Sequence, residues 1–132
     1  MSNGVALQSF LTALGTVDPI RLGRMPPSPD VFGVIYEYGG QAVEGRFGVV
    51  GVGYERPAFQ VVIRGAPNDY PGPMAKALIA WNALADVQPG TIVSGGEVYL
   101  TITPQQTPFS LGQDENLRFE IACNYYAVKE PA

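Results

Sequence analysis

The chain has no histidine, one cysteine (Cys123) and few charges: 15% of its 132 residues are Asp, Glu, Lys or Arg. Without histidine, the side chain most often used as a general base near neutral pH and the commonest metal ligand are both missing. A single cysteine excludes an intramolecular disulfide. Its place on the apolar face of a strand pattern makes it a small buried hydrophobe rather than a reactive thiol. No run approaches the roughly 20 apolar residues that span a bilayer. The amino end lacks a basic segment followed by a long apolar run, so neither a membrane span nor a signal peptide is expected. Twelve acidic residues stand against eight basic ones, and the basic ones are scattered from Arg21 to Lys129. With no patch to release counterions from phosphates, direct nucleic-acid readout is not expected. Soluble domains ordinarily carry about 25% charged residues. The deficit points to a surface partly covered by partners.

The length suits one domain, 1–132, with a core of its own. Two stretches near the carboxyl end alternate apolar and polar residues with the period of strands: Val98–Thr103 and Leu117–Tyr126. In the second, Leu117, Phe119, Ile121, Cys123 and Tyr125 share one face, and Arg118, Glu120, Ala122, Asn124 and Tyr126 lie on the other. Upstream, Val31–Tyr38, Glu44–Tyr54 and Ala58–Gly65 also read as strands. Gly39-Gly40 ends the first of them. Arg56-Pro57 turns the chain between the other two. Glycines alternate with valines over 44–54, yet no Gly-Lys-Ser/Thr follows, so this is no phosphate loop.

Two helices are expected. Leu7, Phe10, Leu11 and Leu14 recur at helical spacing over Val5–Leu14. Asn68-Asp69 and the prolines at 71 and 73 mark the entry of a second helix, Pro73–Ala85. Its predicted inner stripe is Met74, Leu78, Trp81 and Ala85. That leaves an outward face of Ala75, Lys76, Ile79, Ala80, Asn82 and Ala83, which has a single charge and reads as a contact surface. Prolines at 19, 26, 27 and 29 make 16–30 an extended arm, and 86–96 reads as a turn region. The expected fold is α+β: about five strands in a mainly antiparallel, mixed sheet, two helices on one face, order α-β-β-β-α-β-β. A polar sheet face carrying Arg64 and Arg118 would be solvated or line a lumen.

The connection from Pro104 to Asn116 is longer than the two to five residues of a tight hairpin. It presents Phe109 and Leu111 between prolines and an acidic cluster. Its chemistry is poor for catalysis. Asp114 and Glu115 are sequence neighbours rather than a spaced acid–base pair, and Ser94 and Ser110 have no histidine to activate them. A cation site at Asp114, Glu115 and Asn116 lacks further ligands at a recognised spacing. No enzymatic activity, metal or cofactor is expected.

Several residues in and around this loop carry a resemblance. Pro104, Gln105, Gln106, Pro108, Phe109, Leu111, Gly112, Asp114, Glu115, Asn116, Arg118 and Asn124, with Phe59–Gly65 and Asp69-Tyr70 upstream, form a pattern similar to the tail terminator and minor capsid proteins of long-tailed bacteriophages and phage-like gene transfer agents. The similarity runs from about Ala58 to Val128. It implies a virion protein, assembled in the host cytoplasm, that forms a hexameric ring at the neck end of the tail. Such a ring stops growth of the tail tube and offers a surface to head-completion or neck proteins. The implied partners are further copies of the chain, a tail tube protein and a neck protein. The interaction residues expected here are Gln105, Gln106, Phe109, Leu111, Asp114, Glu115, Asn116 and Arg118 on the loop, Lys76, Ala80 and Ala83 on the helix, and Arg64. Two other readings stay open: a different head–tail connector protein, and a monomeric module that binds a small ligand or peptide along the bare Gly-Val strand.

Overall fold

The computed structural model describes residues 20–46, 49–85, 91–93 and 97–129. The helix expected over Val5–Leu14 lies outside them. In chain order the elements are β1 (Ile20–Leu22), β2 (Phe32–Arg46), β3 (Val49–Pro67), α1 (Pro71–Ala85), β4 (Thr91–Val93), β5 (Glu97–Pro104), β6 (Phe109–Gln113) and β7 (Arg118–Lys129). The strands form one sheet in the order β1-β2-β3-β7-β5-β4, with β6 also paired to β7. All pairings are antiparallel except β1 with β2.

The fold class read from sequence is therefore corrected. Seven strands replace about five, and the described residues hold one helix in the order β-β-β-α-β-β-β-β. The physical reasons are local. Gly39-Gly40 does not end a strand. The β2–β3 register slips between Tyr38 and Gln41, so the two glycines sit opposite Pro57 in a bulge, and both strands continue through it. The three-residue strands β1 and β4 are too short to show any periodicity. β6 lies inside the stretch expected to be loop. Residues 39–46 and 49–54 form a ribbon that, among the described residues, pairs only with itself.

The core lies between the sheet and α1. Ile20, Ile35, Phe59, Val61, Ile63, Ile102, Ile121, Cys123, Tyr125 and Ala127 line the sheet side, and Ala77, Ala80 and Leu84 face them from the helix. Phe59 and Tyr125 stack at 5.3 Å between ring centroids. The helix starts where the sequence signals it. The Asp69 side chain accepts a hydrogen bond from the Gly72 amide at 3.0 Å, and the prolines occupy first-turn positions whose amides would have no helical partner.

Its rotation differs from the expected one. Pro73, Ala77, Ala80 and Leu84 are buried, while Leu78 and Ile79 are 41% and 53% exposed. Ala80, assigned to a contact surface, is instead a core residue at 1% exposure. Small side chains let the helix sit close to the sheet. Gly65 serves the same approach: a Cβ there would lie 2.7 Å from the Pro73 ring. Burial of Leu84 and exposure of Leu78 give opposite expectations. Leu84→Ala should lower unfolding free energy by about 2–5 kcal/mol; Leu78→Ala should change it by no more than about 0.5 kcal/mol. Urea unfolding of the two variants checks the rotation of the helix.

Candidate assembly surface

Nearly half of the stretch 104–116 is strand rather than loop. β5 and β6 run one after the other along the same edge of β7, pairing respectively with Tyr125–Lys129 and Phe119–Ala122. Only Gln105–Pro108 bulges out between them. This bulge is fastened to the helix layer, because the Gln106 carbonyl accepts hydrogen bonds from Trp81 Nε1 at 3.0 Å and from Cys123 Sγ at 3.0 Å. Burial pushes the Cys123 thiol up, so it stays protonated and serves as a donor.

β6 returns into β7 through a tight turn at Asp114–Leu117. The Leu117 amide donates to the Asp114 carbonyl at 3.0 Å, and the Asp114 amide donates to the Arg118 carbonyl at 3.0 Å. Leu117 then takes φ +62. This is the three-residue hairpin connection in which a residue of left-handed backbone closes the turn, a position glycine fills without strain. For leucine it costs on the order of 1–2 kcal/mol. The turn also docks on the β3–α1 junction: the Asn68 amide donates to the Leu117 carbonyl at 2.8 Å.

Asp114 organises the turn. Its carboxylate accepts from the amides of Asn116 (2.9 Å) and Arg118 (3.0 Å) and from Arg118 Nε (2.9 Å). Partial desolvation works against ionisation, but these donors and the guanidinium hold the carboxyl below the usual carboxylate range. Arg118 reaches on to the Pro27 carbonyl (2.6 Å) and to Asp30 Oδ1 (3.1 Å). Arg64, across the sheet, donates to the Asp30 carbonyl (2.8 Å) and the Pro29 carbonyl (2.6 Å). Both arginines are buried, at 2% and 4% exposure. Desolvation and the neighbouring Arg118 pull the Arg64 pKa down, while Asp114, Glu120 and Asp30 push it back up. The proline arm is thus strapped across the sheet face opposite the helix. Val34, Val62 and Ala122 lie on that face and are buried as well.

The residues expected to make contacts therefore separate into two groups. Arg64, Arg118 and Asp114 are internal fasteners, and Ala80 is core. Gln105, Leu111, Glu115 and Asn116 are exposed; Lys76, Ala83, Gln106 and Phe109 are half-buried. Sequence reasoning placed Ile79 on the outward face, where it lies, but missed Leu78 and Leu117 as surface residues. Leu117 is 51% exposed, as is Leu111. A leucine directly after Asp-Glu-Asn, at the close of a three-residue turn, was the available signal for Leu117. The candidate surface is consequently made of two apolar patches: Leu111 and Leu117 on the β6–β7 hairpin, and Leu78 and Ile79 on the outer side of α1.

Because the folded state depresses the Asp114 pKa, its contribution to stability is complete above the unfolded value of about 3.9. It is lost as pH falls through the lower folded value. Asp114→Asn should thus be less stable than the parent at pH 7 by about 1–2 kcal/mol. That gap should narrow steadily below about pH 4, as followed by urea unfolding across pH 2–7.

A family model described as bacteriophage tail terminator protein matches residues 10–131. No curated protein matches the chain. Among solved structures, a chain from the virion of a native gene transfer agent particle has a similar fold, with a TM-score of 0.58 at 12% identity; the match covers 96% of this chain and 86% of that one. A second solved chain gives a TM-score of 0.50 at 18% identity, covering 100% of this chain and 99% of that one. At such identities the structures speak for the fold alone, and the family model carries the identification. The chain belongs to the bacteriophage tail terminator family, structural proteins of the phage tail.

Proposed function

We propose that the chain is the tail terminator of its particle: it closes into a ring, six subunits being the expected number, on the end of the tail tube. There it stops tube polymerisation and offers its outer surface to a head-completion or neck protein. The observation that carries this reading is the pair of exposed apolar patches on separate parts of one subunit. One lies on the β6–β7 hairpin and the other on the outer side of α1. A subunit with two different contact patches associates head to tail, and such contacts form a ring when the rotation closes. The scarcity of charge agrees with a surface largely covered in the particle. So does the self-paired ribbon of β2 and β3, since an isolated two-stranded hairpin is marginal in water.

In this role the protein works by binding alone. The Asp114 carboxylate is engaged in the turn, and Cys123 is a core residue. Assembly would take place in the host cytoplasm, with the finished ring at the neck end of the tail.

Light scattering of the purified protein, with negative-stain images of the same sample, gives the first test. The expected result is a six-subunit species with a central hole, or capped ends once polymerised tail tubes are added. A monomer that also leaves tube ends uncapped would overturn the reading.

A further inference from the structure

We propose that the subunits meet by a defined contact: the β6–β7 hairpin tip of one copy seats on the outer side of α1 of the next, Leu117 against Ile79 and Glu115 facing Lys76. The proposal rests on the ring reading and names the surfaces that make it.

Leu117 is the starting point. It holds a left-handed backbone, φ +62, at the residue that closes the turn, where glycine would be free of strain. Burial does not explain the leucine, because the side chain is 51% exposed. The residue therefore harms the isolated subunit on two counts, strain and exposed apolar surface. A strained, exposed side chain held by a well-bonded turn is suited to contact another molecule. The turn is well bonded: Asp114 gathers three donors, and the Asn68 amide fixes the Leu117 carbonyl.

The receiving surface lies on the same chain. The outward side of α1 carries Leu78 and Ile79, 41% and 53% exposed. A solvated helix face ordinarily carries several charges. This helix has one, Lys76, which lies three positions before Ile79 and so beside it on the helix surface. Glu115 stands two residues before Leu117. Among the described residues neither Lys76 nor Glu115 belongs to an ion pair. Each patch thus pairs an exposed aliphatic side chain with an unmatched charge, and the two charges are opposite. Such complementarity fixes register and disfavours wrong pairings. A second copy is the occupant because every subunit carries both halves. The hairpin closes at one end of β7 and the helix patch faces away from the sheet, so the contact is heterologous, as a ring requires.

The test uses the full chain with cysteines at Leu117→Cys and Ile79→Cys and a short bis-maleimide cross-linker. Cys123 is buried and does not compete. The double variant should give a ladder of covalent multimers on a denaturing gel, and each single variant should stay monomeric. Lys76→Glu should weaken self-association at least tenfold, and adding Glu115→Lys should restore it. Leu117→Gly should raise the melting temperature while weakening association, a split that no folding defect produces. If the parent chain assembles but the double variant gives no ladder, or Leu117→Gly assembles as well as the parent, the contact is wrong and the ring reading stands. A parent chain that stays monomeric even with tail tubes overturns both.

Discussion

Two arginine side chains buried on one sheet face determine much of how this subunit is built. A guanidinium taken out of water is tolerated only when its donors are matched. Here Arg64 and Arg118 find their partners outside their own strands, in the carbonyls of Pro27, Pro29 and Asp30, and in the carboxylates of Asp30 and Asp114. Proline-rich chain suits this purpose: it has carbonyls to give and few amides needing partners of their own. The same bonds do three things. They hold the arm across the sheet, cover the second face where Val34, Val62 and Ala122 lie, and set the Asp114 turn that aims the hairpin tip. Burial of both arginines leaves their donors engaged inside the subunit.

On the opposite face the constraint is closeness. Alanines at 77 and 80 and glycine at 65 bring α1 down on the sheet. Trp81, too large to fit beneath the helix entirely, spends its indole N–H on the bulge between β5 and β6. Both faces thus end up steering the edge of β7. The bulge is held by the helix and the turn by the arginines, so the β6–β7 hairpin is anchored at both ends. A contact surface mounted on such a hairpin keeps its shape before a partner arrives, which lowers the entropy lost on association.

How much of this could be read from the sequence follows from what each residue says about its surroundings. Alternation identified β7 and the inner residues of β3, because large apolar side chains at period two have one sensible destination. The entry of α1 was legible from Asp69 and its prolines, whose local chemistry does not depend on the rest of the fold. Its rotation was not. Alanine fits either side of a helix, so Ala77 and Ala80 could not outvote Leu78, and only the sheet beneath decides between them. β6 was hidden because its glycine, serine and glutamine read as loop, and its pairing depends on β7 rather than on its own residues. Arg64 and Arg118 fell on the expected polar face, but nothing near them in sequence shows that a proline arm 34 to 91 residues away supplies their partners. The proline arm itself was seen, while what it crosses was not. Leu117 was read as one more apolar strand residue, since backbone strain leaves little trace in a single sequence.

The buried arginines act in this structure as fasteners of the arm and the turn to the sheet. Urea unfolding of Arg118→Met against the parent chain tests this most directly. If Arg118 joins Asp114, Asp30 and the Pro27 carbonyl inside the subunit, removing it should cost about 1.5–3 kcal/mol, the range for lost hydrogen bonds to a charged group. A loss below about 0.5 kcal/mol, typical of a surface substitution, would contradict the account and return Arg118 to the outer surface of the subunit.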